Sequence, residues 1–147
     1  GQLRNQLPKG TRLWITGDHG MLNVGQKIVI GRDNLLMTEV ATIAGEPRAR
    51  HIYLARPEIN SEIADLWRSE IGSMADIYTK QEAINRGLFG KPMPDNFADR
   101  IGDLIAIVKT DAILIDSARE KLEGAMVGHH GGLTQTETNV PLQLLVV

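Results

Sequence analysis

Apolar positions along this chain come in short runs parted by glycine- and proline-marked turns, and the runs switch between a strand period and a helix period. Residues 12–16 bring Leu13, Trp14 and Ile15 together without a polar break. Such a run predicts a strand covered on both faces, as strands of parallel sheets are. A turn over 22–25 leads to a second short strand at 27–31. Residues 34–37 fit neither period cleanly. Two further strands are expected at 39–43 and 51–54, with Gly45-Glu46-Pro47 breaking the chain between them. Ahead of all these, residues 2–10 read as the tail of a helix and a loop.

Pro57 suits the first turn of a helix, because its missing N–H would be unpaired there anyway. Beyond it, Ile59, Ile63, Leu66, Trp67 and Ile71 recur on one helical face. Gly72 is expected to close that helix in the left-handed conformation. After a brief strand at 76–78, Thr79-Lys80-Gln81-Glu82 matches the capping box that opens a helix, and Gly87 ends it. Apolar runs at 101–108 and 112–115 flank Lys109-Thr110-Asp111 and predict a hairpin. Residues 117–125 are polar and irregular. Thr134-Gln135-Thr136-Glu137 repeats the capping-box pattern, Pro141 stops that turn, and a closing strand follows. Strand, helix, strand, helix over 45–90 sets off a small α/β lobe. Residues 1–44 and 91–147 are assigned to the main α/β core.

Composition narrows the function classes. The chain has 147 residues, 18 acidic against 16 basic, and a formal net charge of −2. It is sized for about one domain. No basic run or basic-aromatic stripe is present, which argues against a nucleic-acid footprint. Cysteine is absent, removing disulfides, thiol catalysis and Cys-based zinc sites. No apolar run approaches the ~20 residues that cross a bilayer. No signal peptide is visible, so localisation defaults to cytoplasmic. The chain starts without methionine and stops on an apolar run, as expected of a piece of a larger protein, in which case a missing targeting signal says nothing. Its oligomeric state is not legible.

Candidate chemistry gathers in two places. The run that begins at Leu13 ends in Asp18, His19 and Gly20. Adjacent side chains of an extended strand point to opposite faces. Asp18 and His19 can therefore meet one ion only where the strand breaks into a loop, at the carboxyl end where open α/β sheets put their ligands. Carboxylate oxygen with imidazole nitrogen suits zinc or manganese, although Asp-His-Gly also makes an ordinary polar turn. His129-His130 between glycines is the second place, since glycine permits close backbone approach. Solvated loop histidines are the plain alternative there. His51 begins a strand and reads as a core or surface residue. No helix carries two histidines four apart, and no nucleophile elbow is present. Any site must be assembled from distant segments.

Taken in order, these residues resemble one family. Thr16-Gly17-Asp18-His19-Gly20-Met21 is similar to the T-x-D-H-G-M signature of the alkaline phosphatase superfamily, and most closely to its type I phosphodiesterase and nucleotide pyrophosphatase branch. The stretch Gly45 to Leu54 resembles the join into that branch's small lobe. Residues 82–90 and Arg100-Ile101-Gly102-Asp103 look like it too. His130-Gly131-Gly132-Leu133-Thr134, with Glu137 and Val140-Pro141-Leu142, resembles its closing H-G-G-L-T-x-x-E…V-P-L motif. The resemblance implies part of a doubly wound α/β sheet with a small α/β lobe inserted. It also implies two divalent metals, commonly zinc, and a small phosphodiester or nucleotide substrate. One metal activates a Thr or Ser nucleophile, the other helps bind the phosphoryl group, and a covalent phospho-enzyme is hydrolysed by water. Carried over residue by residue, Asp18 and His19 ligate the nucleophile-side metal. His130, which directly precedes the glycine, ligates the other in preference to His129.

The family's nucleophile, its first metal-binding Asp and an Asp-x-x-x-His pair lie upstream of the D-H-G motif. Here the 17 residues before Asp18 contain no Asp, Glu or His. The chain is therefore expected to be a carboxy-terminal portion, without the nucleophile and inactive alone. A non-catalytic binding module, or a sulfatase or phosphomonoesterase of the same superfamily, are the alternatives.

Overall fold

The computed structural model describes residues 2–31 and 33–147. The chain opens with a short helix, α1 (Gln2–Gln6), and a strand, β1 (Arg12–Thr16). A two-residue strand, β2 (Leu22–Asn23), and a longer one, β3 (Gln26–Ile30), follow. A 3-10 turn over Leu35–Met37 then leads to the hairpin of β4 (Val40–Glu46) and β5 (Ala49–Leu54). Next come α2 (Asn60–Ile71), β6 (Ala75–Thr79), α3 (Lys80–Arg86), α4 (Asp95–Ala98), β7 (Leu104–Val108) and β8 (Ala112–Asp116). The chain closes with α5 (Lys121–Ala125), β9 (Gly128–His129), α6 (Gln135–Thr138) and β10 (Leu142–Val146).

An antiparallel sheet in the order β4-β5-β7-β6 forms the body of the structure. The expected lobe supplies β5, α2, β6 and α3, while β4 and β7, on either side of it in sequence, join the same sheet. β7 explains why this region is well packed. All five of its residues are buried. Successive strand side chains face opposite ways, so Leu104, Ala106 and Val108 enter one core cluster with Ile63, Trp67 and Ile71 of α2. Ile105 and Ile107 enter a second cluster with Ala83 of α3. The larger cluster continues through Ile30, Ala112 and Leu114 into a parallel pair, β3 with β8, in which Ile28 lies opposite Leu114.

Local signals set several of these elements. The helical stripe buries Ile63, Ala64, Trp67 and Ile71. The capping box at Thr79 forms in full, and Gly87 closes α3 in the left-handed region at φ 75°. Gly72, in contrast, ends α2 with ordinary right-handed angles (φ −61°, ψ −19°), its amide simply continuing the helical bond to Arg68.

Three other expectations are corrected. β1 does not lie in a parallel sheet with both faces covered. It pairs antiparallel with β10 in a two-stranded ribbon, and Trp14 and Ile15 are 57% and 42% exposed. Its apolar run meets no covering layer among the described residues. Residues 101–115 form no hairpin, because β7 pairs with β5 and β6 whereas β8 pairs with β3. Finally, Thr134 makes no side-chain cap to α6. Its hydroxyl instead donates to the Glu137 carboxylate at 2.6 Å, for reasons that lie at the candidate site. Within the polar stretch 117–125, residues Lys121–Ala125 make a helical turn.

Candidate metal centre

The loops that carry the sequence-flagged residues are brought together by a short antiparallel ladder. β2 follows Asp18-His19-Gly20, β9 leads into His130, and Leu22 lies opposite His129. The result is direct contact between residues far apart in sequence. The rings of His19 and His130 stack with centroids 3.6 Å apart and planes 14° apart.

Asp18 turns the loop locally, its Oδ1 accepting from the His19 amide at 3.1 Å. Nδ1 of His19 lies 2.7 Å from the Gly20 carbonyl. A carbonyl oxygen only accepts, so Nδ1 carries a proton, and Nε2 is the nitrogen turned toward Asp18. This is the arrangement by which a backbone carbonyl fixes the tautomer of a metal-ligating histidine. Nε2 lies 3.8 Å from Asp18 Oδ2. The Asp18 carboxylate is open to solvent. Hydrogen bonding to its own backbone, then the charge of His19, holds its pKa below the ordinary value, and His130 adds a smaller pull the same way.

The donor chemistry fits part of a metal site. Two ligands on a tetrahedral ion with bonds of ~2.0–2.2 Å stand roughly 3.3 Å apart, close to the Asp18–His19 separation. An imidazole binds a metal along its in-plane lone pair. Two rings whose centroids lie 3.6 Å apart and whose planes are 14° from parallel cannot both aim an in-plane lone pair at one ion. The stacked pair therefore suits two neighbouring ions, one for each ring, and the spacing resembles the ~3.5–4 Å between the ions of two-metal sites. Among the described residues, no three His, Asp or Glu side chains converge on a single point as a closed cage.

The remaining histidines are placed otherwise. His129 is buried, with Nε2 at 2.8 Å from the Glu123 carbonyl. His51 is half-buried and its Nδ1 accepts from the Gly102 amide at 3.2 Å. Burial lowers the His51 pKa. A cleft of about 730 Å³ opens at the carboxyl ends of β3 and β8, lined by Ile30, Thr42, Asp116 and Arg119 among others. Neither His19 nor His130 lines it.

Two residues not among the candidate ligands support the centre. Arg48, in the β4–β5 turn, is fully buried, and Glu137 is 3% exposed. They form a two-pronged ion pair, Nε to Oε1 at 2.5 Å and the second guanidinium nitrogen to Oε2 at 2.8 Å. Arg48 also donates to the carbonyls of Thr110 and Ala112 at 2.9 and 2.6 Å. Glu137 accepts further from the Gly132 amide at 2.8 Å and the Thr134 hydroxyl. Burial pushes its carboxyl pKa up. Hydrogen bonds from Arg48, Thr134 and Gly132, with the charge of Arg48, outweigh this and bring it to about 2.

Two glycines permit the close approach. A Cβ on Gly20 would stand 1.9 Å from the Thr136 carbonyl oxygen. Gly131 takes φ +110°, a region closed to most side chains.

A family model described as type I phosphodiesterase / nucleotide pyrophosphatase matches residues 1–133. The chain belongs to this family. Type I phosphodiesterases are generally metal-dependent, in keeping with the donor set. The fold agrees. Murine ectonucleotide pyrophosphatase / phosphodiesterase 5 superposes with a TM-score of 0.67 at 20% identity, over 95% of this chain and 35% of that one. Its human counterpart gives 0.66 at 15% identity, over 97% and 35%. Phosphonoacetate hydrolase from Sinorhizobium meliloti, solved with phosphonoformate, gives 0.65 at 23% identity, over 92% and 36%. The chain thus spans about 35% of the length of the phosphodiesterase structures it matches. The alkaline-phosphatase-like α/β class expected from the resemblance is the class these neighbours share. No curated protein matches the chain. No helix among the described residues is long and apolar enough to cross a membrane.

Proposed function

We propose that this chain forms part of a metal-dependent hydrolase of phosphodiester or pyrophosphate bonds. In this reading Asp18 and His19 hold one divalent ion and His130 holds its neighbour, zinc being the metal expected. Residues 1–44 and 91–147 belong to the catalytic core and 45–90 to the small lobe. The observation that carries the reading is the His19–His130 stack with Asp18 beside it, in a chain of this family. Two such ions would supply charge to stabilise the attacking and leaving oxygens of an in-line displacement. The chain's own part is to hold and orient. Gly20 fixes the His19 tautomer, and Asp18 offers an oxygen on the same side. In this reading the nucleophile and the remaining ligands are not among these residues, and the chain alone is expected to be inactive. A small phosphodiester or nucleotide is the proposed substrate. The murine neighbour has been seen in an inactive form with AMP, which supports a nucleotide.

The test is a zinc titration of the 147-residue chain followed through its imidazole NMR signals. Zinc should move His19 and His130 and leave His129 and His51 in place. If the first two stay still at millimolar zinc, the metal assignment fails. Release of nitrophenol from bis(p-nitrophenyl) phosphate should be absent with or without zinc. Metal-dependent turnover by the pure chain would show that the nucleophile lies within it.

A further inference from the structure

We propose that Glu137, held by Arg48, is the positioning residue that sets the distance between the two histidine-bearing loops. The inference rests on the metal reading above for its purpose, but its geometry stands in the metal-free chain. One residue ties both loops. The backbone carbonyl of Glu137 accepts from the Gly20 amide at 2.7 Å, directly after His19. Its carboxylate accepts from the Gly132 amide at 2.8 Å, two residues after His130. Arg48, 89 positions away, locks that carboxylate to the β4–β5 turn, to the Val108 carbonyl at the end of β7, and to the carbonyls of Thr110 and Ala112. The Thr134 hydroxyl occupies the other oxygen. The loops are thereby referred to the best-packed strand of the structure rather than to one another alone. The β2–β9 ladder has only two residue pairs, too few to fix a separation unaided.

The measurement compares Glu137→Gln with Asp103→Asn in the full chain. Asp103 accepts from the Leu54 amide near the opposite end of β7, so its variant reports a loss of stability remote from the histidines. In metal-free Glu137→Gln, the ring-current shifts that His19 and His130 impose on each other should collapse, and zinc affinity should fall by about 10- to 100-fold. Asp103→Asn should leave both unchanged. Thr134→Val should give a smaller shift of the same kind, reversed in Thr134→Ser, and it carries the test if Glu137→Gln does not fold. Retention of the stacked-ring signals in Glu137→Gln, or in Thr134→Val where that variant carries the test, overturns the proposal. So does an equal disturbance in Asp103→Asn. Failure of the wild-type chain to bind zinc would remove the metal reading, while the ring signals would still decide the positioning role.

Discussion

Acid should unfasten the Arg48–Glu137 pair, and the structure sets the size and the pH window of the effect. Glu137 is 3% exposed. Burial alone would raise its pKa, yet the bonds from Arg48, Thr134 and Gly132 bring it from 4.5 to about 2. Each pH unit between unfolded and folded values is worth 1.36 kcal/mol, so the carboxylate contributes about 3 kcal/mol. The folded value is the lower one. The contribution is therefore complete above about pH 4.5, shrinks as pH falls, and is gone below about pH 2. More than half should be lost by about pH 3. Removing the charge by Glu137→Gln leaves Arg48 buried and unpaired, which should cost about 3–5 kcal/mol at neutral pH. Urea unfolding of both proteins across this range tests the reasoning. Asp18, Glu39 and Glu82 also have lowered pKa values, but they occur in both proteins and cancel in the difference. The gap between wild type and variant should narrow by about 2 kcal/mol from about pH 7 to about pH 3. A constant gap would refute the account.

Other substitutions probe the support of the site and the fold. Gly20→Ala should lower stability by about 1–3 kcal/mol, because its Cβ would meet the backbone oxygen of Thr136 at 1.9 Å. An unchanged melting temperature with unmoved His19 signals would contradict this. Thr79→Ala removes the hydroxyl that accepts from the Glu82 amide and should cost about 1 kcal/mol, with Thr79→Ser close to wild type in the same thermal melt. Trp67→Ala should cost about 3–5 kcal/mol, since the side chain is fully buried among Ile63, Ile71 and their neighbours. Trp67→Phe should cost clearly less in urea unfolding. The buried indole N–H has no partner among the described residues, and its removal relieves an unpaid desolvation.

Features governed by nearby residues were legible in the sequence. The α2 stripe and the Thr79 capping box depend on neighbours within a few positions, and both formed. The same capping pattern at Thr134 did not, because the Glu137 carboxylate is taken by a guanidinium 89 positions away. Lys109-Thr110-Asp111 does mark a bend between two strands. It carried no information on whether β7 and β8 would pair, and each found other strands. The apolar run of β1 predicts burial on both faces. Hydrophobicity reports what a strand could bury, whereas Trp14 stands exposed. At the candidate site, Asp18, His19 and His130 could be named from motif resemblance. Arg48 could not be given a role, since arginine is expected on the surface and nothing in its neighbours signals burial.

The centre draws its order from a polar network more than from apolar packing. Its loops leave short strands, and Met21 and Leu133 beside them are more than half exposed. Few apolar contacts are therefore available to hold the two rings at one separation. A buried charge pair is a weak source of net stability but a strong constraint on geometry, because both ions must keep every partner or suffer desolvation. Glu137 meets that demand only when the Gly132 amide, the Thr134 hydroxyl and Arg48 all point at it. The same condition that keeps the carboxylate ionised thus holds the His130 loop in place. Its backbone carbonyl extends the constraint to Gly20 and His19. A hydrophobic replacement of the pair could match or exceed its stability and still release the loops.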